Sequence, residues 1–329
     1  MYTLRFDMRA PSAGAPRSEL YRCALDMAAW GDSHACSGLI LHEHHNSADG
    51  YLPSPVTLAA AFAARTEVAS ILISLVVLPL YHPIRLAEEM CVLDHLSKGR
   101  VSYIGGIGYR PVEYEMYGLD YHRRGSIAER HLALLLRAKT GLAFEYEGRR
   151  IQITPGPYTP GGPKMAWGGG SEAAARRAGR YGLDFVSFRS SEKLRIAFNE
   201  ERQAHGHEPG TGGFPGIDRP GTVFVAEDLD RAWEEIGPYL LYDVRSNAEW
   251  NQGTRGTSSL SFARTIDELR KENGTHRIMT VEEAIDYGRA HGALGLHPLV
   301  GGLPPDIAWR YLRNVIDKVE PALGNSRLS

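Results

Sequence analysis

The chain has 329 residues, 43% hydrophobic and 23% charged, with 37 basic residues against 39 acidic ones and a net charge of −2. Such a balance offers no field of one sign to hold nucleic acid or an anionic membrane surface. The apolar share is enough for a large core.

Residues 4–8 read as a short strand, and residues 18–31 as a helix with Leu20, Leu25, Met27 and Ala28 as apolar positions. Residues 38–42 form a second apolar strand. Residues 54–65 are Ala-rich and helical, with Pro55 at the first helical position behind Ser54. Residues 71–78 are a run of Ile, Leu and Val, as in a strand buried on both faces. Residues 83–96 read as a helix, 101–107 as the fourth strand and 126–140 as the fourth helix. Four such units in succession predict a parallel sheet with helical crossovers.

Residues 144–163 break the alternation and read as a hairpin and an irregular loop, with alternating Tyr146, Ile151 and Ile153 before a proline-rich stretch. The alternation resumes with strand 164–167, helix 171–181, strand 184–187 and helix 192–205. A Gly/Pro-rich loop at 207–221 leads to strand 222–225 and helix 229–241. Residues 244–277 are polar and poorly periodic, a long loop of the kind that is functional or mobile. An extra helix at 281–291, an eighth strand at 294–300 and a closing helix at 305–319 complete the chain. The expected fold is α/β: one domain over residues 1–329, a (β/α)8 TIM barrel with insertions before strand 5 and after strand 7. A doubly wound sheet is the alternative.

Catalysis in such barrels sits at the C-terminal ends of the strands. Strand 2 ends in His42-Glu43-His44-His45, followed by Asn46, Ser47 and Asp49. Three histidines and a carboxylate do not serve an apolar core, and strand alternation puts His42 and His44 on one face, Glu43 and His45 on the other. That pattern suits a metal site or an organic-cofactor site. Strand 4 ends in Gly105-Gly106-Ile107-Gly108-Tyr109, where glycines permit close backbone approach to a flat ligand; GxGxxG is incomplete. Strand 5 ends in Gly168-Gly169-Gly170-Ser171 before an Ala-rich helix, offering N–H groups to a phosphate or a tight turn capped by Ser171. Arg176 and Arg177 on that helix read as solvated. Tyr109, Trp167 and Phe188 fall near strand ends. No HExxH helix and no CxxC pair is present.

These residues resemble the bacterial luciferase-like, flavin-dependent monooxygenases, the FMN/F420 branch included. The run Glu43-His44-His45, the stretch from Val77 to Arg100 with Leu93–Arg100 as its most specific part, and the stretch from Gly301 to Trp309 carry the likeness, which spans nearly the whole chain. The resemblance implies a (β/α)8 barrel binding reduced FMN or the deazaflavin F420, often as a dimer or larger assembly. It implies His44 as the catalytic residue and Glu43 as its neighbour on the flavin side. It implies a non-proline cis peptide at Ser74–Leu75 beneath the flavin ring, and Gly169, Gly170 and Ser171 as the phosphate turn. Gly106 and Trp167 are expected as further cofactor contacts. Where luciferase carries a phosphate-binding arginine after strand 4, this chain has Ile107, which makes F420 an alternative unless Arg110 compensates.

The expected function is oxygenation of a small organic substrate with reduced FMN and O2, the flavin delivered by a separate reductase; F420-dependent hydride transfer is the alternative. A metal-dependent amidohydrolase-type hydrolase would use His42 and His44, but His297 near strand 8 lacks a terminal Asp beside it, and no metal is expected. A non-catalytic flavin-binding paralogue is a third reading. Cys23, Cys36 and Cys91 form no pair and fit reduced thiols. With no signal-peptide region, and with residues 68–84 too broken by Ser, His and Pro to span a bilayer, a cytoplasmic protein is expected.

Overall fold

The computed structural model describes residues 1–187, 191–213, 220–251 and 260–324. The chain begins with β1 (Tyr2–Phe6), α1 (Arg17–Asp32), β2 (Cys36–Leu41), α2 (Pro55–Ala63), β3 (Ser70–Val77) and α3 (Pro83–Ser97). It continues with β4 (Val101–Gly106), α4 (Pro111–Met116), α5 (Arg124–Ala138), the strands β5 (Phe144–Tyr146) and β6 (Arg149–Ile151), β7 (Lys164–Gly168) and α6 (Glu172–Arg180). Next come β8 (Asp184–Val186), α7 (Glu192–Ala204), β9 (Gly212–Gly213), β10 (Thr222–Val225) and α8 (Leu229–Trp250). The last elements are α9 (Ile266–Glu272), β11 (His276–Met279), α10 (Val281–His291), β12 (Leu294–Leu296) and α11 (Pro305–Asn314). Prolines open α2, α3, α4 and α11, where a missing N–H costs no intrahelical bond. Ser171, Ser191, Asp228, Thr265 and Thr280 cap their helices through side-chain oxygens.

The chain divides into two compact units. The first comprises Met1–Ile40, Ser47–Leu52 and Pro215–Ser329. Its strands lie in the order β11-β10-β12-β1-β2, and the pairs β11/β10, β10/β12 and β12/β1 run parallel. Tyr2, Leu4 and Phe6 of β1 are fully buried. Beyond them lies a buried polar core centred on Arg9, whose side chain is 0% exposed. Its guanidinium is 2.5 Å from Asp49 Oδ2, 3.6 Å from Asp7 Oδ2 and 3.5 Å from Asp243 Oδ1, and it donates to Asn247 Oδ1 at 3.1 Å. It also lies 4.8 Å from the Tyr51 ring and 4.2 Å from the Trp250 ring. His276 Nε2 is 2.9 Å from Asp243 Oδ2, and His297 Nε2 is 3.3 Å from Asp7 Oδ1. Burial works to raise these carboxyls, but His297 and Arg9 at Asp7, Arg9 with the Ser47 and Tyr242 hydroxyls at Asp49, and His276 and Arg9 at Asp243 outweigh it, so all three lie below the ordinary carboxylate range. Burial alone would lower Arg9, yet the three aspartates hold it above its usual value.

The second unit comprises Leu41–Asn46 and Pro53–Phe214. Its strands run β3-β4-β7-β8-β9, all parallel, and β5 and β6 form a separate antiparallel hairpin as expected for residues 144–163. Between β3 and β4 the register shifts at Ser74/Val76, so Leu75 is an extra residue opposite the β4 ladder.

Three expectations need correction. Residues 244–277 are not a loop throughout: α8 continues to Trp250, and α9 and the start of β11 lie in this stretch, with residues 252–259 outside the described ones. The expected seventh and eighth strands, β10 and β12, are neighbours, but an additional strand, β11, pairs with β10 on its other side. The last strand stops at Leu296 rather than 300, and the closing helix passes into a π-helical turn at Val315–Val319.

Candidate functional site

All the residues of the Glu-His-His run lie in the second unit. Beyond β2 the chain keeps the expected alternation. Glu43 and His45 meet, with His45 Nε2 2.7 Å from Glu43 Oε1, while His44 turns elsewhere. Glu43 also accepts the Val77 N–H at 3.3 Å and the Tyr81 hydroxyl. Burial raises the Glu43 carboxyl above its usual range despite the bonds from His45, Tyr81 and Val77. The other ring nitrogen of His45 is 3.2 Å from Tyr117 Oη. Both residues are buried, and they tie the exit of β2 to the end of β3.

His44 faces a carboxylate that sequence reasoning missed. Its Nδ1–H donates to Glu113 Oε1 at 2.8 Å, and the same oxygen accepts the His45 backbone N–H at 3.0 Å and Arg110 Nη1 at 3.1 Å. Burial works to raise Glu113, but the bonds from His44 and His45 and the charge of Arg110 outweigh it and hold the carboxyl below its usual range. Glu113 stays ionised at neutral pH and fixes the His44 tautomer with the proton on Nδ1. The short helix α4 places it, opened by Pro111 and preceded by a turn at Gly108 with φ +66; a Cβ there would lie 2.8 Å from Val77 Cγ1. The only sequence signal was a charged residue in the first turn after the glycine-rich strand end.

Arg110 does not stand in for the missing phosphate arginine. It is buried, donating to His45 O at 2.6 Å and Asn46 O at 3.5 Å as well as to Glu113, and so holds the loop that carries His44.

The Ser74–Leu75 peptide is cis, as expected. Leu75 packs over Gly106: a Cβ at 106 would lie 2.6 Å from Leu75 Cδ1. A Cβ at Gly105 would lie 2.6 Å from Met165 Cε and 3.0 Å from Trp167 Cζ3. The space gained by these glycines is thus filled by side chains. Trp167 is fully buried, and its indole N–H has no acceptor among the described residues.

In the turn before α6 the expectation of three phosphate-facing N–H groups needs correction, because the Gly169 N–H already donates to Val186 O at 3.1 Å. Ser171 caps the helix, its Oγ accepting the Ala174 N–H at 3.2 Å. Among the described residues, a Cβ at Gly170 would meet nothing within 4 Å. Arg176 and Arg177 are not merely solvated: Arg176 pairs with Glu172, and Arg177 with Glu129 at 2.7 Å. Phe188 lies outside the described residues. Among the described residues no group of three or more His, Cys, Asp and Glu is arranged to hold a metal ion, and no helix is long and apolar enough to cross a membrane.

The half-buried His44 imidazole is thus oriented by a buried carboxylate. The luciferase-like monooxygenase family profile matches residues 4–295. The alkanal monooxygenase beta chain of Vibrio harveyi is 26% identical over 278 residues, covering 80% of each chain. Matches to other curated relatives span 34% to 54% of those proteins' length. Among solved structures, the monooxygenase RslO1 from Streptomyces bottropensis superposes with a TM-score of 0.75 at 20% identity, over 97% of this chain and 98% of that one. The oxygenating constituent of 3,6-diketocamphane monooxygenase from Pseudomonas putida, in complex with FMN, gives 0.66 at 18% identity, over 97% and 98%. The chain therefore has the fold expected from its sequence, and it belongs to the luciferase-like monooxygenase family of enzymes.

Proposed function

We propose that this chain is a flavin-dependent monooxygenase acting on a small organic substrate, with His44 as its acid–base group. The observation that carries this is the His44–Glu113 pair at 2.8 Å, which leaves His44 Nε2 as the working nitrogen. A flavin fits the residues present at the N-terminus of α6, where a Cβ at Gly170 would meet nothing within 4 Å among the described residues and where Ser171 and the first helical N–H groups favour an anion. Reduced flavin supplies the electrons with which O2 is activated. The chain's own part is to hold the phosphate at this turn, to place the ring near Ser74 and Leu75, and to pass a proton at His44 Nε2. Glu43 supports the site by holding the His45 ring and the Val77 N–H; Gly106 and Trp167 support it through packing.

A second reading, F420-dependent hydride transfer, is favoured by one observation: Ile107 stands where luciferase carries its phosphate-binding arginine, and Arg110 is engaged with His45 O and Glu113. Delivery of flavin by a separate reductase and assembly into a homodimer or larger oligomer belong to the same proposal. The test is titration of the purified protein with FMN, reduced FMN and F420 by calorimetry, followed by O2 uptake with the flavin that binds. Saturable reduced-FMN binding with substrate-stimulated O2 uptake is expected, falling at least ~10-fold in His44→Ala. Binding of F420 alone would overturn the monooxygenase reading, and wild-type turnover in His44→Ala would overturn the assignment of His44.

A further inference from the structure

His44 Nε2 is not the outermost polar atom of the pair. Tyr109 Oη lies 3.5 Å from it, with the two rings edge to face at 5.4 Å and 83°. With Nδ1–H given to the Glu113 carboxylate, a neutral His44 presents a lone pair at Nε2, so the phenol is the donor of this contact. Tyr109 is held in place from behind: Tyr121 Oη donates to its carbonyl at 3.1 Å, and Gly108 turns the chain immediately before it at φ +66. Yet the residue is 38% exposed, whereas the Glu113 side chain is fully buried and that of His44 is 15% exposed. Burial thus decreases in order from Glu113 through His44 to Tyr109, as in a proton path leading outward.

We infer that Tyr109 is a relay residue, its hydroxyl standing between His44 and the substrate oxygen whose proton is moved. The inference rests on the proposed acid–base role of His44. In the base direction a substrate O–H gives its proton to Tyr109 Oη while the phenol's own proton passes to His44 Nε2. The substrate becomes an oxyanion, the phenol stays neutral, and the imidazolium is stabilised by Glu113. The reverse sequence delivers a proton. No electron is transferred in either direction. Contacts of this kind are often long without substrate and tighten when it binds.

Among the described residues, the charged and titratable groups that bond to His44 or to its carboxylate partner include Glu113 from α4, Arg110 on the same carboxylate, and Tyr109; the neighbouring Glu43–His45 pair turns away. A donor on Nε2 favours the neutral imidazole, so its removal raises the His44 pKa. The first experiment is an NMR titration of the His44 imidazole in the flavin-free protein, its signal identified by loss in His44→Ala. Tyr109→Phe keeps the ring and removes only the hydroxyl, and it is expected to raise the His44 pKa by about half a unit. Because no cofactor or substrate is present, this readout stands even if the monooxygenase reading fails. The second is turnover: Tyr109→Phe is expected to lower kcat at least ~10-fold with little change in KM, and the double variant with His44→Ala to be no slower than His44→Ala alone. An unmoved His44 pKa, or kinetic effects of the two substitutions that multiply, would overturn the relay.

Discussion

Replacing Arg9 by Met removes the one cation that three buried aspartates share. The side chains have similar length, so the cavity change is small and electrostatics dominate. Lost are the 2.5 Å pair with Asp49, the 3.5–3.6 Å approaches to Asp243 and Asp7, and the seat between Tyr51 and Trp250. Breaking a buried ion pair by removing one partner costs about 3–5 kcal/mol, because the other charge stays buried. At roughly 2 °C per kcal/mol for a chain of this size, Tm should fall by about 6–10 °C at pH 8. The effect has a sign in pH. In the wild type the aspartates lie below their unfolded values, so their stabilisation is present above the unfolded pKa and is lost as pH falls through the folded one. Without Arg9 each aspartate loses one of the groups that hold it ionised, for Asp49 the largest of them, while His297 and His276 stay on Asp7 and Asp243; protonation costs the variant less, so its gap to the wild type should be smaller at pH 5 than at pH 8. Thermal and urea unfolding at both pH values is the assay. A Tm change below about 2 °C at pH 8, or a gap that widens on acidification, would refute the argument.

Gly301→Ala should destabilise the first unit, because φ is +57 and a Cβ would lie 2.5 Å from the Tyr239 carbonyl oxygen; a drop in urea midpoint equivalent to about 2 kcal/mol or more is the expected reading. At Gly170 a Cβ would meet nothing within 4 Å among the described residues, so Gly170→Ala should leave the urea midpoint unchanged within about 0.5 kcal/mol. The same variant should weaken flavin binding by at least ~10-fold if this turn holds the phosphate, measured by calorimetry; unchanged affinity would move the phosphate elsewhere.

The buried strands were legible because burial on both faces demands runs such as Ile71-Leu72-Ile73, and the N-terminal halves of helices because Pro and Ser mark them. The end of α8 was not, because its last buried turn is polar: Asp243 faces His276 and Arg9 rather than apolar neighbours, so no hydrophobic period signals it. β11 was missed for the same reason, since His276 and Arg277 make half of its four residues. Within the candidate site, the His-rich strand exit stood out by composition. Glu113 did not, because its significance lies in a contact 69 positions away along the chain. The claim on Gly169 failed on a similar point: nothing local reveals that its N–H is taken by Val186.

The run from Glu43 to His45 separates two kinds of work within three consecutive residues. Glu43 and His45 bond to each other, to Val77 and to Tyr117, and these bonds do not pass through the imidazole of His44. Position 44 can therefore be exchanged without dismantling the loop that displays it, whereas positions 43 and 45 cannot. In evolutionary terms the reaction is free to drift while its scaffold stays fixed. A duplicated copy of this gene can lose or replace its acid–base group in one substitution and still fold, a short route from one chemistry to another or to binding alone.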